Sequence, residues 1–180
     1  MVVAYLLSAP PLAEADPASW LDRVVAEGTR HLGSTVCLGG LEATGCRHRL
    51  ITLLDASADF DALAASVLRG LDAPEAPEER ARFREALRGV LVRTWERRLQ
   101  GSARVGVRVL DVALNRATVR LTRGRDSIDV ALTLVSAADG PRIANVGIDG
   151  ADVVGTWRPR VAQLLREGTW DTMIFALQAR

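Results

Sequence analysis

The sequence predicts an α+β fold in which N-terminal helices pack on a curved four-stranded antiparallel sheet and further helices close the C-terminal end. Three observations carry that expectation. Apolar residues recur at three- and four-residue spacing up to Gln100 and again from Trp157, whereas from Val105 to Ile148 they alternate singly. The alternating runs are divided by short turn sequences, Arg123-Gly124-Arg125-Asp126 and Asp139-Gly140-Pro141, which leave room only for antiparallel neighbours. Helical segments stand before and after the alternating region, not between its runs, and this arrangement describes a helical layer on one face of a sheet.

From the start, Ser19 to Leu32 places Leu21, Val24, Val25 and Leu32 on one helical face with Asp22, Arg23 and Glu27 off it. Gly33 and the Gly-rich segment CLGGLEATGC interrupt this helix. His48 to Leu54 and Phe60 to Leu68 then read as short helical pieces around a polar break at Asp55 to Asp59, which fits a helical hairpin. Gly70 and the stretch from Pro74 to Pro77 form a linker, and Pro77-Glu78-Glu79 opens the next helix with acids at its positive end. Glu78 to Gln100 gives the clearest helical pattern, with Phe83, Leu87, Val90, Leu91, Thr94 and Trp95 in register, and Gly101 ends it. Four strands follow. Val105, Val107 and Val109 alternate with Gly106 and Arg108; Ala117, Val119 and Leu121 alternate with Thr118, Arg120 and Thr122; Val130, Leu132 and Leu134 form the third run, and Arg142 to Ile148 the fourth. Helix returns from Trp157 through Leu165 and from Trp170 to Leu177.

The 180 residues, 48% of them hydrophobic, suit one domain over residues 16–180. Basic residues number 23, all arginine, against 22 acidic ones, and aromatics make up only 4%, so nothing favours nucleic acid as a partner. No stretch approaches the roughly 18 to 20 uninterrupted apolar residues of a membrane span. Residues 1–15 read as a signal-peptide remnant: Met1 to Leu12 is apolar, and Ala13-Glu14-Ala15 has the small-x-small form of a cleavage site. Cys37 and Cys46 are the only cysteines; they can pair, closing a short loop worth at most about 3 kcal/mol, or stand as free thiols. They do not form a metal-ligand pattern.

A catalytic set is not legible. His31 ends a helix and His48 lies between Arg47 and Arg49, neither beside a nucleophile. Asp149 and Asp152 can be drawn as a carboxylate pair, but a turn or helix-capping role fits them better. No glycine-rich phosphate loop opens a helix. The expectation is therefore a binding protein with no catalytic residues, no metal and no cofactor.

The segment NVGIDGADVVGTWRPRVAQLLREGTWDTMIFAL resembles the C-terminal signature of the MlaC (toluene-tolerance) family. Val146, Ile148 and Gly150 take its strand and turn positions, Trp157-Arg158 its aromatic-Arg pair, Gly168 its break, and Asp171 with Ile174 its last element. Upstream, FDALAASVLRGLDAPEAPEERARFREALRGVLVRTWERRL is similar to that family's Phe-containing helices and linker. Asn145, Ala151, Asp152 and Val161 depart from the usual pattern, which leaves a hopanoid-associated or other divergent branch open. The resemblance implies an NTF2-like or cystatin-like scaffold and a periplasmic, monomeric phospholipid carrier. It further implies exchange of lipid between an outer-membrane lipoprotein complex and an inner-membrane ABC transporter, in the maintenance of outer-membrane lipid asymmetry. It also implies that apolar residues of the helices (Phe60, Leu63, Val67, Leu87, Leu91, Trp95) and of the sheet (Val119, Leu121, Val130, Leu132, Leu134, Val146, Ile148) line a lipid pocket. By pattern alone the same residues read as ordinary core. Arg97, Arg98, Arg158 and Arg160 are candidate docking or headgroup contacts, although solvated helix faces are the commoner explanation of such residues. The alternatives are a small enzyme on the same scaffold, acting through Asp149 or Asp152, and an interaction module with a filled core.

Overall fold

The computed structural model describes residues 16–32, 44–99, 105–123 and 125–179. The chain runs α1 (Pro17–Leu32), α2 (Thr44–Ser57), α3 (Phe60–Leu68), α4 (Pro77–Leu99), β1 (Val105–Ala113), β2 (Arg116–Arg123), β3 (Asp126–Ala137), β4 (Gly140–Ile148), β5 (Ala151–Asp152), α5 (Val153–Glu167) and α6 (Trp170–Gln178). Local chemistry sets several of these ends. The Asp59 carboxylate accepts the Ala62 N–H at 2.7 Å and starts α3. Thr169 and Thr172 form a reciprocal capping box at the start of α6. Pro77 opens α4 with Glu78 and Glu79 in its first turn.

The sheet is antiparallel throughout, in the order β1-β2-β3-β4-β5. It has five strands where the alternation predicts four. After β4 the chain turns through Asp149 and Gly150, with φ of 52° and 80°, and Ala151–Asp152 pairs back on Gly147 and Ile148. Glycine enters that left-handed region freely, and aspartate is among the few other residues that tolerate it. Two residues are too few to show an alternating pattern, so β5 leaves no signature in the sequence. Register shifts at Val109/Asp111 and Thr133/Leu134 put irregularities into β1 and β3–β4, a means by which sheets bend. On the outer face Arg120 and Asp129 sit opposite each other in register, joined by two hydrogen bonds of 2.7 and 2.8 Å. Val119 and Val130 occupy the buried positions next to them.

Two apolar clusters hold these layers. The first lies among α3, α4, α5 and α6, where Val67, Phe83, Leu87, Val161, Met173 and Leu177 are wholly buried and the Phe83 and Trp170 rings meet at 5.8 Å. The second joins Trp20 and Leu21 of α1 to Ala117, Val119, Val130, Leu132 and Leu134 on the inner face of the sheet. Strand β4 touches α1, α3 and α5 and so links the two. The break between α2 and α3 is stitched to it: Asp59 N–H donates to the Ile143 carbonyl at 2.9 Å. Arg142 donates to the carbonyls of Asp55 and Ala56 at 3.1 and 2.9 Å. The Asp55 carboxylate in turn takes two hydrogen bonds from Arg88 on α4, at 2.7 and 2.5 Å. Among the described residues no helix is long and apolar enough to cross a membrane.

Candidate functional site

The space between helices and sheet is not filled. A first chamber of about 220 Å³ lies under α1 and α2, against the inner faces of β1 to β4. Its walls come from Leu21, Val24, Val25 and Gly28 of α1, from Leu50, Leu53 and Leu54 of α2, and from Val107, Val119, Leu121, Val130, Leu132, Ile143 and Val146 of the sheet. Among the described residues that line it, none is charged. The few polar groups are small, and the Ser57 hydroxyl is already bonded to the Leu53 carbonyl at 2.7 Å. Gly28 permits the two roof helices to approach closely: a Cβ at that position would lie 3.2 Å from Leu53 Cδ2.

A second chamber of about 270 Å³ adjoins the first at Val146, which borders both. Leu91 and Thr94 of α4, Ile148, Ala151 and the start of α5 through Trp157 enclose it, and Asp149 and Asp152 lie along it. Asp152 is the N-cap of α5: its carboxylate accepts the Gly155 N–H at 2.6 Å. That bond, with a further one from Asn145, holds the Asp152 carboxyl below the usual carboxylate range. Asn145 also accepts the Val154 N–H at 3.3 Å, so two side chains occupy the amides of the first turn. Asp152 thus takes the capping role expected of it. Asp149 lies in the left-handed turn before it.

The thirteen residues expected to line a pocket are distributed unevenly. Val119, Leu121, Val130 and Leu132 line the first chamber, Leu91 and Ile148 the second, and Val146 both. Leu134 is buried in the α1–sheet cluster away from either chamber. Phe60, Leu63, Val67 and Leu87 belong to the all-helical cluster, in which α3 packs on α4 and α5, and α4 on α6. The Trp95 side chain, like those of Arg97 and Arg98, lies outside the described residues, as do Cys37, the Cys46 side chain and the segment 1–15. Arg158 is not a surface contact. It is half-buried, and its guanidinium points inward to donate to the Ser66 carbonyl on α3 at 2.5 Å. Arg160 lies over the Trp157 ring, 5.3 Å from its centre.

The roof was missed by sequence reasoning. Leu21, Val24 and Val25 were visible as an apolar helical face, which was the available signal. The α2 residues Leu50, Leu53 and Leu54 gave a weaker one, because polar and apolar residues are mixed around that helix.

No curated protein matches the chain. Among solved structures the chain is similar to the phospholipid-binding protein from Ralstonia solanacearum in complex with a phospholipid, with a TM-score of 0.70 over 91% of this chain and 99% of that one. At 17% identity this likeness establishes a shared fold. The family model described as MlaC protein matches residues 41–179, from the segment before α2 to the end of α6. On that match, which takes in both chambers' sheet walls and every helix after α1, the chain belongs to the MlaC family.

Proposed function

We propose that this chain binds a phospholipid and carries it through the periplasm, exchanging it with an inner-membrane ABC transporter complex and an outer-membrane lipoprotein complex to maintain lipid asymmetry. Membership of the family supports this reading, as does the shared fold of a protein described in complex with a phospholipid. The single observation that carries it is the uncharged first chamber, which adjoins a second, mixed one. A diacyl lipid has about 30 methylenes, each costing about 0.8 kcal/mol in water, so unaided passage through an aqueous space is opposed by more than roughly 20 kcal/mol. A carrier must surround the tails with groups that lose nothing on meeting hydrocarbon and leave the headgroup hydrated. Aliphatic walls without charge meet the first requirement, and the exposed turn at Asp149 and Gly150 beside the second chamber meets the other. Ligand pockets commonly span about 300 to 1,000 Å³. Each chamber alone falls below that range, so a whole lipid needs both.

The signal-peptide reading of residues 1–15 and the single lipid-binding domain over residues 16–180 belong to the same proposal. Its test is native mass spectrometry of the protein purified from a bacterial host. The expected spectrum contains a protein species heavier by the mass of one phospholipid, which collision releases and fragmentation identifies. A protein that emerges empty, and stays empty after incubation with phospholipid vesicles, ends the proposal.

A further inference from the structure

The first chamber runs lengthwise across the inner face of the sheet, and its two ends differ. The inward residues of β3 stand in rows with their neighbours: Ile128 opposite Leu121, Val130 opposite Val119 and Ile148, Leu132 opposite Val146, and Leu134 opposite Ile143. Each row contributes to the chamber wall, from Val107 and Leu121 at one end to Ile143 at the other. At the Leu121 end the apolar surface continues outward, since Ile128 is 43% exposed. At the Ile143 end the chain is tied down. There Ala58 bridges Ile143, the Asp59 N–H donates to the Ile143 carbonyl at 2.9 Å, and Arg142 donates to the carbonyls of Asp55 and Ala56. Ala58 lines the chamber and also borders a cleft of about 550 Å³ beyond this joint, whose walls carry the ion pairs Arg84–Asp61, Arg88–Asp55 and Arg142–Asp139. Hydrocarbon pushed past Ala58 strips water from charged groups and gains nothing from them. The apolar space therefore stops here for a steric reason and an electrostatic one.

We infer that the joint between α2 and α3 is a stop that limits the length of acyl tail the first chamber accepts, with Ala58 and Ile143 as the residues that set it. The inference rests on the phospholipid-carrier reading and names the tail class within it. Three steps of two residues separate Ile128 from Leu134, a run of about 20 Å at roughly 3.3 Å per residue. An extended hydrocarbon chain advances about 1.3 Å per carbon, given C–C bonds near 1.5 Å, so the run holds a tail of about sixteen carbons. A carrier draws its lipid from a membrane, where each added methylene contributes the same favourable burial. Up to the stop the chamber walls return that contribution, and loading is indifferent to length. Beyond it two further carbons must stay in water or fold back, which lowers loading by roughly tenfold.

The test incubates the full chain with vesicles holding equal amounts of phosphatidylcholines whose two identical monounsaturated tails run from fourteen to twenty-two carbons in steps of two. Native mass spectrometry counts the lipids among loaded molecules, so the profile does not depend on total loading. For the unaltered protein the expected profile is level to about sixteen carbons and falls roughly tenfold with each step beyond. Ile143→Ala deepens the chamber and should move the fall one step toward longer tails; Ile143→Val, which keeps most of the packing, should move it less in the same direction. Ala58→Val thickens the stop with a β-branched side chain suited to its bridged backbone, and should move the fall one step toward shorter tails. A substitution that only destabilises the fold lowers total loading and leaves the profile in place. A level profile across the whole series in the unaltered protein overturns the inference and leaves phospholipid binding standing. A fall that does not move in opposite directions at Ile143 and Ala58 removes the stop from this joint. Absence of every lipid from the unaltered protein overturns the carrier reading itself, and the inference with it.

Discussion

Placing a carboxylate at Leu121 separates a tail-binding chamber from a space of no consequence. Leu121 lines the first chamber from β2 and is half-buried. In an empty molecule the introduced side chain of Leu121→Asp keeps water around it, and the fold loses only part of one aliphatic contact. In a loaded molecule it lies against hydrocarbon, where an ionised group is so costly that the cheaper course is to take up a proton. Protonating a carboxyl with an ordinary value of about 3.9 costs about 4 kcal/mol at pH 7 and about 1.5 kcal/mol at pH 5. Relative to the neutral control Leu121→Asn, loading should therefore fall by roughly a thousandfold at pH 7 and recover to within roughly tenfold at pH 5. The assay is lipid occupancy by native mass spectrometry after incubation with vesicles across that range. Far-UV circular dichroism confirms the fold, and Leu121→Asn serves as the neutral control. Loading near that of Leu121→Asn at pH 7, or a gap between the two that does not narrow on acidification, refutes the assignment of acyl tails to this chamber.

Two further predictions concern the frame around the chambers. Phe83 is wholly buried among α3 to α6 and lines neither chamber, so Phe83→Ala should lower stability by about 3 to 5 kcal/mol while the folded fraction loads lipid normally; urea unfolding and occupancy per folded molecule check the two halves. Asp152→Ala removes the cap of α5 and should cost about 1 kcal/mol at neutral pH. Because the folded protein holds this carboxyl below its ordinary value, the cap's contribution is complete above the usual carboxylate range and is lost as pH falls through the lowered one. Thermal unfolding followed from pH 7 to pH 2 should therefore show the gap between variant and parent closing on the acid side, and a gap that widens there counts against the cap.

Much of the fold was legible because its elements are long and cleanly patterned. The expected Phe60 to Leu68 helix matches α3 in both bounds, since a polar break and an Asp cap precede it and Gly70 follows. The alternation of Val119 and Leu121, and of Val130, Leu132 and Leu134, identified the inner face of the sheet, and four of these five line the first chamber. What the pattern could not supply was the partner of each face. Leu87 and Leu91 stand one turn apart on α4, yet Leu87 belongs to the helical cluster alone while Leu91 also reaches the second chamber. Periodicity says that a stripe of helix is covered, and only the path of the whole chain decides by what. Likewise Arg158 carries no sign in the sequence that its guanidinium turns inward to Ser66.

The stitches at Asp59, Arg142 and Arg88 fasten the end of α2 that leads into α3, while α1 rests on α2 and the sheet. On the proposed carrier reading, a tail lodged beneath the roof leaves Phe83, Met173 and Leu177 undisturbed, because their close packing lies in the other cluster. That reading then assigns shape to the α3–α6 scaffold and capacity to the roof, so a passenger is received by a frame already built.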